Sequence, residues 1–493
     1  MATVTENERT DPRSGEEKPA PPPENESVTE HTVQIGGNAV AYRAVARTTT
    51  LRSEEGEARA SIFSIAYTRT DSVEDGARPL TFVFNGGPGS SSTWLHLGLV
   101  GPRRVDVPDG PTPPAAPYRV IDNDASLLDV SDLVFIDPVS TGFSRAAAGQ
   151  EANQFHGFRE DLESVGEFIR LYTTRAGRWT APKFLVGESY GTTRAAGLAQ
   201  HLQDRYGMYL NGVALISAIL LFQAGRQGGA NDLPYVLSLP TYAATAWYHQ
   251  RLKDRDQSLR TLTDQVEEFA LGDYASLLLR GKRAPATERA SVLDRLAGWT
   301  GLSKSFLEEC DLRVSPPRFF KELLRSERRT VGRLDSRFTG IDADAAGEVP
   351  EYDPSYAIIQ APFSAAVNSY LRGELGFESD LPYEVLNGER VRPWNFGEDA
   401  DNKYLDVASM LRKAMSRSRE LKLLLASGYF DLATPFAAAE WTLERMGLDP
   451  SLSGNVRMTR YEAGHMMYIH PPSRDRLAAE LRAFVGASPV PAE

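Results

Sequence analysis

The stretch that most constrains this chain is Lys183-Phe184-Leu185-Val186-Gly187-Glu188-Ser189-Tyr190-Gly191. A short apolar run with strand character meets a G-x-S-x-G turn, and a helix-like segment follows from Thr192 to about Tyr206. Strand, sharp turn and helix in that order lift a serine hydroxyl above a helix N-terminus, the arrangement of a nucleophile elbow. Flanking glycines make steric sense, because so tight a turn leaves little room for side chains beside the serine. The same pattern also arises by chance in a chain with 40 glycines, as an ordinary turn that happens to carry a serine. A nucleophile at Ser189 therefore requires a base and an acid elsewhere in the chain.

The surrounding pattern supplies a sheet for the elbow. Leu80 to Phe84, Asn123 to Asp137 with its apolar run Leu133-Val134-Phe135-Ile136, and Asn211 to Leu221 read as buried strands. Phe155 to Thr173 has helical spacing at Phe158, Leu162, Val165, Phe168 and Ile169. Strands alternating with helices from residue 80 to 221 predict an α/β fold with a doubly wound, mostly parallel sheet. Ahead of them, Thr32 to Ala46 alternates around Gly36-Gly37-Asn38 as a hairpin, and Ala58 to Thr68 adds a strand. From about Phe222 to Arg392 the chain is helix-rich and broken by Gly and Pro, which reads as a helical cap or insertion. There Leu262, Val266, Phe269 and Ala270 make one apolar helical face that reads as packing. Tyr242, Trp247 and Tyr248 read as packing before pocket lining. Strand character returns at Leu421 to Ala426, and a helix from about Ser473 to Val485 closes the chain. The expected organisation is a disordered tail over 1–30, core over 31–221, cap over 222–395 and core again over 396–493.

Composition excludes several classes. A formal net charge of -12 offers no electrostatic footprint for nucleic acid or an anionic membrane, and no stretch approaches a membrane span in length. The first residues, rich in Glu, Pro, Ser and Arg around Ala20-Pro21-Pro22-Pro23, have too few apolar groups to offset the entropy of ordering them. No basic segment leads into an apolar one there, so a cytoplasmic location is expected. Cys310 is the single cysteine, which rules out an internal disulfide and a thiolate metal site and fits a reducing compartment. His465 and His470, at i and i+5, share no helix face and make no metal pair. No cofactor and no metal are expected, and oligomeric state leaves no trace in the sequence.

Candidate partners for Ser189 stand at the ends of other strands. The Leu80 strand runs into Asn85-Gly86-Gly87-Pro88-Gly89-Ser90-Ser91-Ser92, which lacks both the Gly-Lys-Ser/Thr ending of a phosphate loop and the Rossmann spacing. It is either a plain tight loop or an oxyanion hole with backbone N–H groups aimed at developing charge. Late in the chain Asp431 follows a strand, and His465 in Tyr461-Glu462-Ala463-Gly464-His465-Met466 comes 34 residues later (465 − 431). The order Ser, Asp, His is that of α/β-hydrolases. Asp431 could instead cap a turn with Thr434 and Pro435, and His465 could be a solvated loop residue. His470, beside Pro471-Pro472, ranks below His465 as a base.

With those residues in view the chain resembles the serine carboxypeptidase family, a branch of the α/β-hydrolases, as a disulfide-free, bacterial-type member. The resemblance rests on Asn85 to Ser92, Asp137-Pro138-Val139-Ser140-Thr141-Gly142-Phe143-Ser144, Gly187 to Gly191 and Ala463 to Met466, covering roughly residues 80 to 475. It implies a catalytic triad of Ser189, Asp431 and His465, and an oxyanion hole from the backbone N–H groups of Gly87 and Tyr190. It further implies that Asn85 and Glu188 bind the terminal carboxylate of a peptide substrate. The activity implied is that of a serine-type carboxypeptidase working through an acyl-enzyme. An esterase, amidase or acyltransferase on the same scaffold, or a non-catalytic peptide-binding protein, remain as other readings.

Departures from the family pattern carry expectations of their own. Leu99 stands where a second carboxylate would share a proton with Glu188. Without that partner Glu188 is expected to ionise and repel a C-terminal carboxylate near neutrality. The consequence would be a less acidic pH optimum, weaker selectivity, or a substitute cation such as Arg194. Ser90 occupies the position of a family disulfide cysteine, and Thr192-Thr193-Arg194-Ala195-Ala196 replaces the usual Gly-His-Tyr-Val-Pro, which leaves specificity open.

Overall fold

The computed structural model describes residues 24–71, 78–107, 110, 112–228, 230–253, 256–397 and 404–486. Of the tail expected over 1–30, residues 1–23 lie outside the described residues. The first strand, β1 (Glu26–Ile35), begins five positions before His31 and pairs antiparallel with β2 (Asn38–Arg52) across the Gly36-Gly37 turn. Its polar N-terminal half orders through the backbone ladder and cross-strand pairs such as Glu30 with Arg43 at 2.7 Å. β3 (Ala58–Arg69) continues this antiparallel block.

The remaining strands of the main sheet are β4 (Leu80–Phe84), β7 (Asp132–Ile136), β8 (Arg145–Ala146), β9 (Lys183–Glu188), β10 (Gly212–Ile216), β13 (Lys422–Gly428) and β14 (Val456–Tyr461). β5 (Arg103–Val105) pairs only with β6 (Val120–Asp122), and β11 (Thr330–Val331) only with β12 (Thr339–Gly340). The sheet order is β1-β2-β3-β7-β4-β9-β10-β13-β14, with β8 pairing β3. From β7 to β14 every pairing is parallel. β4, β7, β9 and β10 are buried at every residue, as continuous apolar runs in a parallel sheet covered on both faces must be. The segment Asn123 to Asp137 yields a strand only from Asp132. Its start is a loop, because Asn123 Nδ2 donates to the Leu99 and Gly101 carbonyls at 2.7 Å each.

Alternate residues of these strands feed two cores. Phe82, Leu185, Leu215 and Leu425 face the helices Phe158–Arg175, Tyr190–Tyr206 and Ala408–Arg417. Val83, Val186, Ala214 and Leu424 face the helices Pro354–Ser369 and Pro471–Gly486. A third cluster gathers Leu262, Val266, Phe269 and Ala270 with Phe319, Tyr429 and Phe436. The helix-rich stretch therefore contributes to two places: the helices from Leu233 to Glu322 build the third cluster, while Ile358, Phe363 and Phe377 rejoin the core under the sheet. Tyr242 packs within that cluster, stacked on Phe319 at 4.0 Å, whereas Tyr248 is 43% exposed against Phe430. No helix among the described residues is long and apolar enough to cross a membrane.

Candidate active site

The C-terminal ends of β4, β9, β13 and β14 converge on one edge of the sheet. β7 and β9 flank β4 on opposite sides, so a crevice opens there at a topological switch point. Ser189 follows β9 directly with φ 59 and ψ -129, a strained conformation for a residue with a Cβ. Backbone bonds hold it: Ser189 N–H donates to the Ile216 carbonyl at 3.0 Å, and Thr192 N–H to the Ser189 carbonyl at 2.8 Å. A Cβ on Gly187 would stand 2.3 Å from the Gly191 carbonyl oxygen, so the elbow closes only with glycine there.

Asp431, fully buried beyond β13, does two jobs. Oδ1 accepts from the Ala433 and Thr434 N–H groups at 2.8 and 2.9 Å, which is the turn-capping role. Oδ2 accepts from the Thr434 hydroxyl at 2.6 Å and meets His465 Nδ1 at 2.7 Å. Both oxygens serve as acceptors, so Nδ1 carries the proton and Nε2 presents a lone pair. Burial pulls the His465 imidazole down, but the charge and hydrogen bond of Asp431, with Glu188 beside it, outweigh burial and leave it above the usual value. His465 and Ser189 line one cavity of about 970 Å³. Among the described residues no hydrogen bond joins the Ser189 hydroxyl to the imidazole.

The loop after β4 lies against the elbow. A Cβ on Gly86 would fall 2.4 Å from Tyr190 N, so only glycine lets this backbone approach the first helical turn. Tyr190 opens that helix, where N–H groups have no intrahelical acceptor, and Gly87 follows Gly86 on the cavity wall. The loop is braced from below by Asp137, whose carboxylate accepts from Ser92 N–H and from the Tyr383 hydroxyl, both at 2.8 Å. The second resemblance motif is thus structural, and burial pushes the Asp137 carboxyl up to about 6.

Asn85 and Glu188 occupy neighbouring positions because Phe84 and Gly187 pair in the ladder. Asn85 Nδ2 donates to Glu188 Oε1 at 3.1 Å, while its Oδ1 accepts from Leu95 N–H at 3.0 Å. Glu188 Oε2 is buried with no hydrogen-bond partner. Burial pushes the carboxyl up to about 7, against smaller opposing contributions from His465, Tyr468 and Asn85. This corrects the expectation drawn from Leu99. That residue is packed in the apolar core, yet Glu188 keeps its proton toward neutrality because desolvation replaces the missing second carboxylate. Arg194 is no substitute cation either. Its guanidinium is buried against Asp161 at 2.8 Å and donates to the Asn85 carbonyl at 2.7 Å.

Other residues at the site carry no signal in local spacing. Leu334 accepts from His465 N–H at 2.6 Å, and Asp335 accepts from Gly464 N–H at 3.0 Å, so a segment 130 positions away (465 − 335) holds the histidine loop. The Tyr468 ring packs over Gly98, with its buried hydroxyl beside Glu188 but outside hydrogen-bond geometry. His470 bonds to Ser473 and is not on the cavity wall. Tyr242, Trp247 and Tyr248 also lie off the wall. Among the described residues no cluster of His, Cys, Asp and Glu could hold a metal ion.

Comparison with known proteins bears on family likeness and on fold. Residues 54–268 match the model of the serine carboxypeptidase family. The pheromone-processing carboxypeptidase KEX1 of Saccharomyces cerevisiae is 37% identical over 151 residues, which are 28% of this chain and 20% of the relative. The chain thus matches about a fifth of the length of the curated relatives. Over 90% of both chains it superposes on the crystal structure of the yeast prohormone-processing carboxypeptidase at a TM-score of 0.54 and 17% identity, a likeness of fold. A proline iminopeptidase of Mycobacterium smegmatis aligns over 93% of this chain and 97% of its own at a TM-score of 0.35 and 12% identity. Residues 54–268, which hold Ser189, are similar to the serine carboxypeptidase family, and the chain as a whole has the α/β-hydrolase fold.

Proposed function

We propose that this chain is a serine-type carboxypeptidase that releases C-terminal residues from peptides through an acyl-enzyme on Ser189. The observation that carries the reading is Glu188, a buried carboxyl pushed up to about 7 by desolvation and bonded to Asn85 beside Ser189 in the same cavity. A protonated carboxyl donates to the terminal carboxylate of a peptide, where an ionised one would repel it.

The chemistry follows from the remaining groups. Ser189 Oγ bonds to the scissile carbonyl carbon as its proton passes to His465 Nε2. The carbonyl oxygen gains negative charge, which the N–H groups of Gly87 and Tyr190 receive, each worth on the order of 3 kcal/mol. As the C–N bond breaks, Nε2 returns the proton to the leaving amine. Water, activated by the same nitrogen, then releases the acyl group. Asp431 holds the ring by Nδ1 and stabilises its cationic form throughout.

Two measurements test this. A fluorophosphonate probe is expected to label the native protein at Ser189 and not Ser189→Ala. Blocked dipeptides with a free terminal carboxylate are expected to be cut in preference to their amides. Absence of labelling would remove the catalytic reading; labelling with esters cut regardless of a terminal carboxylate would replace the peptidase by an esterase.

A further inference from the structure

Beyond the catalytic groups, the cavity wall carries three arginines, Arg226, Arg333 and Arg392, all exposed at its mouth. None forms an ion pair among the described residues. Elsewhere among the described residues some exposed arginines are paired, as Arg280 is with Glu288 and Arg417 with Asp204, and others, such as Arg283 and Arg412, are not. Arg226 is held by stacking instead, its guanidinium 4.3 Å from the Phe396 ring centre and 5.3 Å from that of Phe222. Arg333 is fixed through its backbone, whose N–H donates to Asp353 at 2.9 Å. It also precedes Leu334, the residue that accepts from His465 N–H.

Among the described residues of the wall, two carboxylates are present, and they do not cancel these charges. Glu188 is largely protonated below about 7. Asp353 is committed as the N-cap of the helix Pro354–Ser369, accepting from Ser355 N–H at 3.0 Å, Leu334 N–H at 3.3 Å and the Ser355 hydroxyl at 2.5 Å. Its charge faces the positive end of that helix. A chain with formal charge -12 otherwise repels anions at long range, so a cationic rim around Ser189 selects locally.

We propose that the cavity mouth recognises acidic side chains, and that the preferred substrates are peptides carrying Asp or Glu at or next to the C-terminus. This rests on the carboxypeptidase reading for the reaction, but not for the binding. Exposed ion pairs change affinity by about two- to fivefold for each arginine engaged, less at high ionic strength.

The test uses full-length protein and matched peptides ending in Glu, Gln or Lys. Binding is measured on Ser189→Ala by calorimetry, and hydrolysis on the native protein as kcat/KM. The Glu peptide is expected to bind more tightly than its Gln twin, with a ratio that shrinks as salt is added and as Arg226→Gln, Arg333→Gln and Arg392→Gln are combined. Equal binding of Glu and Gln, a preference for Lys, or a Glu preference that survives the triple variant would overturn the proposal. Acidic selectivity in binding without hydrolysis of any peptide would uphold it while sinking the carboxypeptidase reading. Hydrolysis of all three peptides at equal rates with equal affinities would do the reverse.

Discussion

Glu188 makes the sharpest prediction. Burial pushes its carboxyl up to about 7 from an ordinary 4.5, equivalent to about 3 kcal/mol between its two protonation states. A peptide terminal carboxylate, with an ordinary value near 3.5, is ionised throughout the neutral range. Below about 7 the site is neutral and accepts that charge; above it, two anions meet in a desolvated cavity. The quantity to measure is the ratio of kcat/KM for a blocked dipeptide acid to that for its amide, from pH 5 to 9. Dividing by the amide removes the rise due to His465, which both substrates share. If only the protonated form binds the acid, the ratio is flat at pH 5 to 6 and halves near 7. It then falls to about a tenth at pH 8 and about a hundredth at pH 9. A carboxyl with its ordinary value would already have lost about 300-fold by pH 7. In Glu188→Gln the ratio should no longer depend on pH. A ratio that falls from pH 5, or one that stays flat to pH 9 in the native protein, would refute the argument from burial.

Three further predictions follow from the same site. The folded value of Glu188 lies above its unfolded value, so the native state holds the extra proton between 4.5 and about 7, and stability falls as pH rises through that window. Glu188→Gln should therefore gain up to about 3 kcal/mol over the native protein at pH 8 relative to pH 4.5, read as denaturant midpoints at both pH values. The polar Tyr468 hydroxyl beside Glu188 opposes the upward push of burial, so Tyr468→Phe should move the alkaline limb of the acid-to-amide ratio upward, and a downward move would refute that influence. Arg194→Met leaves Asp161 buried without its partner and should cost about 3–5 kcal/mol in thermal or urea unfolding, a loss that Asp161→Asn in the same chain partly restores.

Much of the site was legible in residue order. The elbow is dictated locally: strand residues meet a turn whose sterics admit only glycine at 187, and the predicted strand Leu80–Phe84 matches β4 at both ends. Asp431 and His465 were placed by following late strands to their ends, and the structure joins them by a 2.7 Å bond. Strand extent was less legible. Asn123 begins a loop because its side chain satisfies two carbonyls, and Glu26 to Glu30 form a strand because Arg43 and Arg47 stand opposite, neither of which an apolar pattern reveals.

The amino-acid order alone determined where Ser189, Asp431 and His465 stand, because each follows from short-range sterics and from the end of a strand. Tertiary structure decided their electrical state. Whether Glu188 keeps its proton depends on desolvation by a cavity assembled from distant segments, and whether Arg194 is free depends on Asp161, 33 residues before it (194 − 161). Likewise the histidine loop is held by Leu334 and Asp335, and three arginines from separate loops meet at one rim. Charge and burial are properties of what surrounds a group, and no spacing along the chain encodes those surroundings.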